Sequence, residues 1–457
     1  MSSLFLDKSI PELMEGVRSG SLSFEDFSDA TVQTIASHES SVLAWVTFDL
    51  EELRLESESA WLRMQARGCP LALDGLPFGV KDIFNTKLFP TQMGSPLWKD
   101  FTPGNDARVV DSVRLAGGIV VGKTVTAEFA VHALNETLNP HDASKTPGTS
   151  SSGSAVSVAT GMVPFALATQ TAGSIIRPSS FCGVWGMKPS FGMIPRTGAL
   201  KTTDSLDTIG FIAAHGKSLR PILDSTRVKG PDYPYVYRHV DKRGAFPKNK
   251  SKPWRVGFLK THIWDTAEPY ACLAIEGLAS KIGGLKGFEV AELLWPTMLH
   301  TSHSIHETIY NKSLSYYFKS EYKSALQITP IMKEMIELGD SISPERFRTA
   351  LLQQERYCED LNQLIQPYDF IISLATSSSA PPRGIEELPD PSLIWTLGHL
   401  PTVAAPAFQC PQGLPFAVQF TSSRWNDYLL LQGVEELISI GVLEQGSKPI
   451  PSTIAKG

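Results

Sequence analysis

The chain has 457 residues and a formal charge of −6, from 41 Lys and Arg against 47 Asp and Glu, so no global field steers it to nucleic acid. With 42% hydrophobic and 19% charged residues it has the balance of a globular protein and ample material for a core. The five cysteines (Cys69, Cys182, Cys272, Cys358 and Cys410) are odd in number and show no CxxC spacing, which argues against a disulfide framework and a zinc ribbon and for a reducing compartment.

In chain order, residues 1–66 read as a helical arm. Leu13, Val17 and Leu22 are apolar at near-helical spacing, and Ser23-Phe24-Glu25-Asp26 is a helix start. The first residues, Met1-Ser2-Ser3-Leu4-Phe5-Leu6-Asp7, lack the basic and apolar regions of a signal peptide, and no apolar run reaches membrane-spanning length. The expected location is cytoplasmic, with no membrane contact. Pro77 to Lys81 is a short apolar strand ending in a lysine. Burying an ammonium is costly, so Lys81 is either an unusual buried amine or a surface lysine at a strand end. Asp106–Gly117 is an amphipathic helix closed by Gly117-Gly118, and Ile119–Gly122 is a buried strand.

The densest stretch is Gly148-Thr149-Ser150-Ser151-Ser152-Gly153-Ser154, followed by an apolar run to Ala168 and then by Gln170-Thr171-Ala172-Gly173-Ser174-Ile175-Ile176-Arg177-Pro178. Small residues allow close backbone approach, successive N–H groups can cradle an anion, and hydroxyls supply nucleophiles and proton relays. The apolar run reads as a buried helix leading into a buried strand, which sets the two Ser-rich turns at the ends of packed elements. Alternating helices and all-apolar short strands imply a mainly parallel sheet covered on both faces.

Residues 227–255 are basic and Pro-rich and read as a solvated connection rather than a nucleic-acid patch. Residues 266–366 read as helices. His300, His303 and His306 fall at i, i+3, i+6 but lack the i, i+4 pairing and a further ligand motif of a metal site. Tyr368–Ser373 is a strand. Cys182, between Phe181 and Gly183-Val184-Trp185, reads as a buried inert thiol rather than a nucleophile.

The serine-rich turns, GTSSSGS and then ATQTAGSIIRPSSFCGVWGMKPSFG, resemble the amidase signature family of serine hydrolases. So do Gly75-Leu76-Pro77-Phe78-Gly79-Val80-Lys81-Asp82, Lys123 to Phe129, Gly198 to Gly210, and segments within 391–420. The resemblance covers roughly residues 10–210 and 365–440. It implies one α/β domain over 1–457, built on a large mixed, mostly parallel twisted sheet with helices on both faces; 215–366 would be a more variable, helix-rich substrate entrance. It further implies an amide hydrolase without cofactor or metal. Ser174 would be the nucleophile, Ser150 the bridging serine after a cis Thr149–Ser150 peptide, and Lys81 the base. Backbone N–H groups of Thr171, Ala172, Gly173 and Ser174 would form the oxyanion hole, supported by Ser151, Gln170 and Arg177, while Lys123 would be structural.

The sequence departs from the family pattern at three places: Gln170 stands where an acid is usual, Ala172 where the first Gly of the turn is usual, and Ile176-Arg177 where Arg comes one step earlier. A re-paired Gln170–Arg177 contact is the expected accommodation. Apolar residues near the motifs, among them Phe129, Ile175 and Trp395, suggest a pocket for a small neutral, apolar or aromatic amide or carbamate, acted on by a monomer or homodimer. The alternative within the family is one component of an amidotransferase, releasing ammonia from glutamine for a bound partner. A catalytically silent binding protein is disfavoured because Lys81, Ser150 and Ser174 are all retained.

Overall fold

A computed structural model describes residues 3–242, 252–324, 326–385 and 387–450. Part of the basic 227–255 stretch (243–251) lies outside them; within it, Arg227 is committed to Asp241 and to the Tyr428 hydroxyl.

Eleven strands among the described residues are β1 (Trp45–Phe48), β2 (Pro77–Lys81), β3 (Ile119–Thr124), β4 (Phe165–Gln170), β5 (Trp185–Lys188) and β6 (Thr208–Ala213), then β7 (Trp254–Lys260), β8 (Phe288–Leu294), β9 (Phe370–Leu374), β10 (Thr402–Gln409) and β11 (Pro415–Thr421). They join into one sheet in the order β1-β3-β2-β4-β6-β5-β10-β11-β9-β7-β8. Every residue of β2, β3, β4, β5, β6, β9 and β11 is buried, as expected of strands covered on both faces.

The α/β class and the large mixed sheet match expectation. The parallel share is smaller than expected: β2 runs parallel to β3 and β4, and β7 to β8 and β9, whereas the ladders from β4 through β6, β5, β10 and β11 to β9 are antiparallel. An all-apolar strand reports burial on two faces and carries no information about direction.

Within residues 1–66 the helices are Leu4–Asp7, Ile10–Ser19, Phe24–Val42 and Leu50–Arg67. The read start at Ser23 is a reciprocal cap: Ser23 Oγ accepts from Asp26 N–H at 3.2 Å, and the Asp26 carboxylate accepts from Ser23 N–H at 2.6 Å. The stretch is not wholly helical, because β1 pairs antiparallel with β3 at the sheet edge. Between 266 and 366 the helices Pro269–Gly283, Ser302–Tyr317, Pro330–Ser341 and Pro344–Ile365 are interrupted by β8, the opposite edge. Only Phe288 and Leu293 of β8 are buried, so its sequence shows no continuous apolar run and hides its strand character.

The two larger buried clusters divide the core between them. The larger gathers the N-terminal helices and most strand residues, including Phe27, Phe78, Phe165, Ile175 and Phe211. The second gathers Phe129, Trp395 and the apolar faces of the helices Ser302–Tyr317, Pro330–Ser341 and Pro344–Ile365.

Candidate active site

Lys81 is the last residue of β2, and the parallel β2–β4 pairing sets it beside the end of β4. Its side chain is fully buried, and Nζ lies 2.8 Å from Ser150 Oγ, 3.0 Å from Ser151 Oγ and 3.0 Å from Thr169 Oγ1. Burial pushes the Lys81 amine well below the ordinary lysine range; the Asp207 charge opposes the shift without contacting it. A neutral amine has two N–H donors and one lone pair, so of three hydroxyl neighbours one must donate. Ser151 Oγ points its own donor at the Thr169 carbonyl, 3.2 Å away. Neither Ser150 Oγ nor Thr169 Oγ1 has another acceptor among the described residues, so these two hydroxyls are the ones that can direct an O–H at the Lys81 lone pair.

Gly148 has φ +84° and ends the loop into Thr149–Ser150, whose peptide bond is cis. The helix Ser152–Ala159 starts just beyond it. Thr149 O accepts two bonds from the Arg177 guanidinium, at 3.0 and 3.2 Å.

The second turn leaves β4 at Gln170. Ser174 is buried but for 6% of its surface and forms no hydrogen bond with Ser150 among the described residues. The N–H groups of Ala172, Gly173 and Ser174 have no acceptor among the described residues, so the turn presents consecutive unpaired donors. The turn is fixed from all sides. Gln170 Oε1 accepts from Ile175 N–H and Ile176 N–H at 2.9 and 3.0 Å, while its Nε2 donates to Thr396 Oγ1 at 2.9 Å. Thr396 in turn donates to Ala172 O at 2.7 Å. Thr171 Oγ1 donates to Asp207 at 2.9 Å, and the His306 ring nitrogen Nε2 lies 2.8 Å from Thr171 O. A Cβ on Gly173 would overlap the Asp390 carboxylate.

The amidase family profile matches residues 27–431. The chain belongs to the amidase family. Among curated relatives, it is 27% identical over 465 residues to AtzE of Pseudomonas sp. strain ADP, a component of 1-carboxybiuret hydrolase, covering 94% of this amidase and 98% of that protein. It is 33% identical over 299 residues to one component of the glutamyl-tRNA(Gln) amidotransferase of Chromohalobacter salexigens, covering 64% and 61% of the two chains. A solved structure of a vestigial protein complex bearing on the origins of an s-triazine catabolic enzyme superposes with TM-score 0.84 at 25% identity, over 96% of this chain and all of that one. The peptide amidase of Stenotrophomonas maltophilia, at 20% identity, shares the fold with TM-score 0.82 over 98% and 99% of the two chains.

Several residues of this amidase sit differently from expectation. Gln170 and Arg177 do not pair with each other. Gln170 uses its carbonyl and its amide on the turn, and Arg177 finds carboxylates instead, Glu387 at 3.0 Å and Asp390 at 3.4 Å. An amide can serve backbone N–H groups and a hydroxyl together, so nothing is left over for the guanidinium. Ile175 is not a pocket wall: its side chain reaches toward Gly186 and Gly210 in the larger core. Phe129 packs on Phe318 with centroids 4.7 Å apart, and Trp395 meets Trp295 edge-on at 6.5 Å. Lys123 forms a fully buried ion pair with Asp82 at 2.9 Å. Cys182 is fully buried, its Sγ 3.4 Å from Pro147 O, and desolvation pushes its thiol pKa far up, so no thiolate forms there.

The three histidines do not converge: the His306 ring is engaged by Thr171 O, and the other two meet the His262 ring edge-on. Among the described residues no group of three or more His, Cys, Asp or Glu could hold a metal ion, and no helix is long and apolar enough to cross a membrane. Thr169, Asp207, His306, Asp390 and Thr396 were not read from the sequence as site residues. Thr169, one residue before Gln170, was legible as a hydroxyl on the face opposite Gln170; the other four lie far away in the chain and carry no local signal.

Proposed function

We propose that this amidase hydrolyses a small, uncharged amide or carbamate through an acyl-enzyme on Ser174. Ser174 Oγ attacks the carbonyl carbon, its proton passing to Ser150 as the Ser150 proton passes to Lys81. The N–H groups of Thr171, Ala172, Gly173 and Ser174 receive the oxyanion; one such donor is typically worth about 3–4 kcal/mol. Collapse breaks the C–N bond, and the relay returns a proton to the leaving nitrogen. Water then attacks the acyl-enzyme by the same relay and releases the acid. The observation that carries this reading is the Lys81 amine: buried, without a carboxylate in ion-pair range among the described residues, and 2.8 Å from Ser150 Oγ. An amine so placed is a base rather than a counter-ion.

The reading assigns Phe129 and Trp395, both in the second apolar cluster, to the substrate side of the site, and apolar rings there favour a neutral compound. Five free thiols fit a cytoplasmic enzyme, working as a monomer or homodimer. A fluorophosphonate should label Ser174, and Ser174→Ala should abolish labelling; persistent labelling, or labelling of Cys182, overturns the assignment.

The second reading is the glutamine-hydrolysing component of an amidotransferase, favoured by the 33% identity to a component of the glutamyl-tRNA(Gln) enzyme. Comparing kcat/KM for anilides, aryl carbamates, aliphatic amides and glutamine separates the two: glutamine outrunning the others would select the second.

A further inference from the structure

Buried polar atoms normally find partners, and a cluster of exceptions calls for a cause. Among the described residues such atoms are scattered through the molecule, but six of them fall in one aromatic assembly linked to the Thr171–Ser174 turn. His262 Nδ1 and Nε2, His303 Nε2, Trp295 Nε1, Trp395 Nε1 and Asp390 Oδ2 are all buried without a hydrogen-bond partner. Asp390 Oδ2 has only the looser ion pair with Arg177, at 3.4 Å. These groups are one assembly. The His262 ring stacks on Trp295 at 5.5 Å and 24°, and meets His303 edge-on at 5.0 Å. Trp295 meets Trp395 perpendicularly at 6.5 Å. The assembly is tied to the catalytic turn three times over. Thr396, next to Trp395, donates to Ala172 O at 2.7 Å; His306, one helical turn after His303, contacts Thr171 O at 2.8 Å; and Asp390 fills the space a Gly173 side chain would need.

From this we infer that His262, His303, Trp295, Trp395 and Asp390 form a substrate subsite for a flat, uncharged group bearing both N–H donors and a carbonyl-type acceptor: a ureido, carboxamide or N-heteroaromatic group. The inference rests on the amide-hydrolase reading and narrows its substrate class from apolar to planar and polar. The chemistry follows from the atoms. Indole N–H groups donate only; a carboxylate accepts only; a neutral imidazole does one of each. Desolvation and the neighbouring histidines pull His262 down to about 4, and burial lowers His303, so both rings are uncharged near neutrality and keep an acceptor. A purely apolar ligand would leave every one of these atoms unsatisfied, which is the basis on which such sites reject the wrong substrate.

The test uses two matched substrates, a plain anilide and the same anilide carrying a ureido group, with His262→Phe and Trp295→Phe. Wild type should favour the ureido compound. Each variant should lower its kcat/KM by roughly 10-fold or more while changing the plain anilide less than about threefold, with fluorophosphonate labelling of Ser174 retained. Equal losses on both substrates, no loss on either, or a wild-type preference for the plain anilide overturns the subsite. Loss of labelling in wild type overturns the Ser174 reading instead. The subsite is then decided by binding of phenylurea to the Ser174→Ala protein, read by tryptophan fluorescence: saturable binding weakened about tenfold by His262→Phe supports it, and absence of binding overturns it.

Discussion

Lys81 and Lys123 stand on adjacent strands, both fully buried, yet only Lys123 has a carboxylate in contact. The Asp82 carboxylate stabilises charge on Lys123 against the desolvation that lowers it. Lys81 meets only hydroxyls, and the one charge that supports it, Asp207, does not contact it. The two buried lysines thus differ in kind: one is half of an ion pair, and the other is held by hydroxyls.

The Lys81 environment fixes a pH dependence. Its folded pKa lies below the unfolded value, so the base-competent neutral form grows as pH rises through the folded pKa. kcat/KM should therefore climb from acidic pH to a plateau, and Lys81→Met should lower kcat by about 10²–10⁴-fold with little change in KM. The same depression costs stability: between the folded pKa and 10.5 the unfolded chain binds more protons, so the wild-type penalty shrinks as pH rises. The melting-temperature difference between Lys81→Met and wild type should change in favour of wild type toward alkaline pH. A flat difference and near-native kcat would make Lys81 an ordinary strand-end lysine.

Lys123→Met removes one half of a buried pair and strands the Asp82 carboxylate. Breaking such a pair typically costs about 3–5 kcal/mol, read as a shift of the urea midpoint. Adding Asp82→Asn should recover part of the loss. A single variant within about 1 kcal/mol of wild type would contradict the pairing, that being the size of an exposed ion pair.

Gln170→Leu leaves the Ile175 and Ile176 amides without their buried acceptor. The expected cost is about 1–3 kcal/mol per amide, together with a fall in kcat from a loosened nucleophile turn. Gln170→Glu keeps the acceptor but gives up the donor to Thr396, so it should be milder in stability than the leucine variant. Urea denaturation and steady-state kinetics on the three proteins check the order.

Gly173→Ala should be nearly inactive although it adds one methyl group, because that group overlaps Asp390. Overpacking of this kind costs about 1–3 kcal/mol. Pairing it with Asp390→Ala should recover stability; native-like kcat in the single variant would show that the turn can yield.

Much of this site was legible in the sequence because its chemistry is local. Gly148 to Ser154 and Gln170 to Arg177 are each one short turn with the start of the helix that follows it, and Lys81 terminates a strand whose apolar residues announce it. What escaped was everything settled by distance in the chain: Asp390 and Glu387 against Arg177, Thr396 against Gln170, His306 against Thr171. Ile175 escaped differently. Its position beside Ser174 suggested a pocket wall, but backbone direction after the turn carries its side chain into the core. The edge strands β1 and β8 escaped because a strand exposed on one side loses the uniform apolar run by which β3 and β4 were found.

The parallel register of β2 on β4, with Phe78 opposite Phe165 and Val80 opposite Leu167, has a consequence for how this protein acquires its activity. Side chains alternate along a strand, so a one-residue slip would swing Lys81 to the far side of the sheet and bring Val80 to the serines. A slipped molecule could retain most of its secondary structure and still lack a base. The pairing also joins segments separated by more than eighty residues, a contact that chain-closure entropy makes late to form. On the proposed reading, amide hydrolysis should not return during refolding before this ladder has locked, whereas circular dichroism recovers with the secondary structure as a whole.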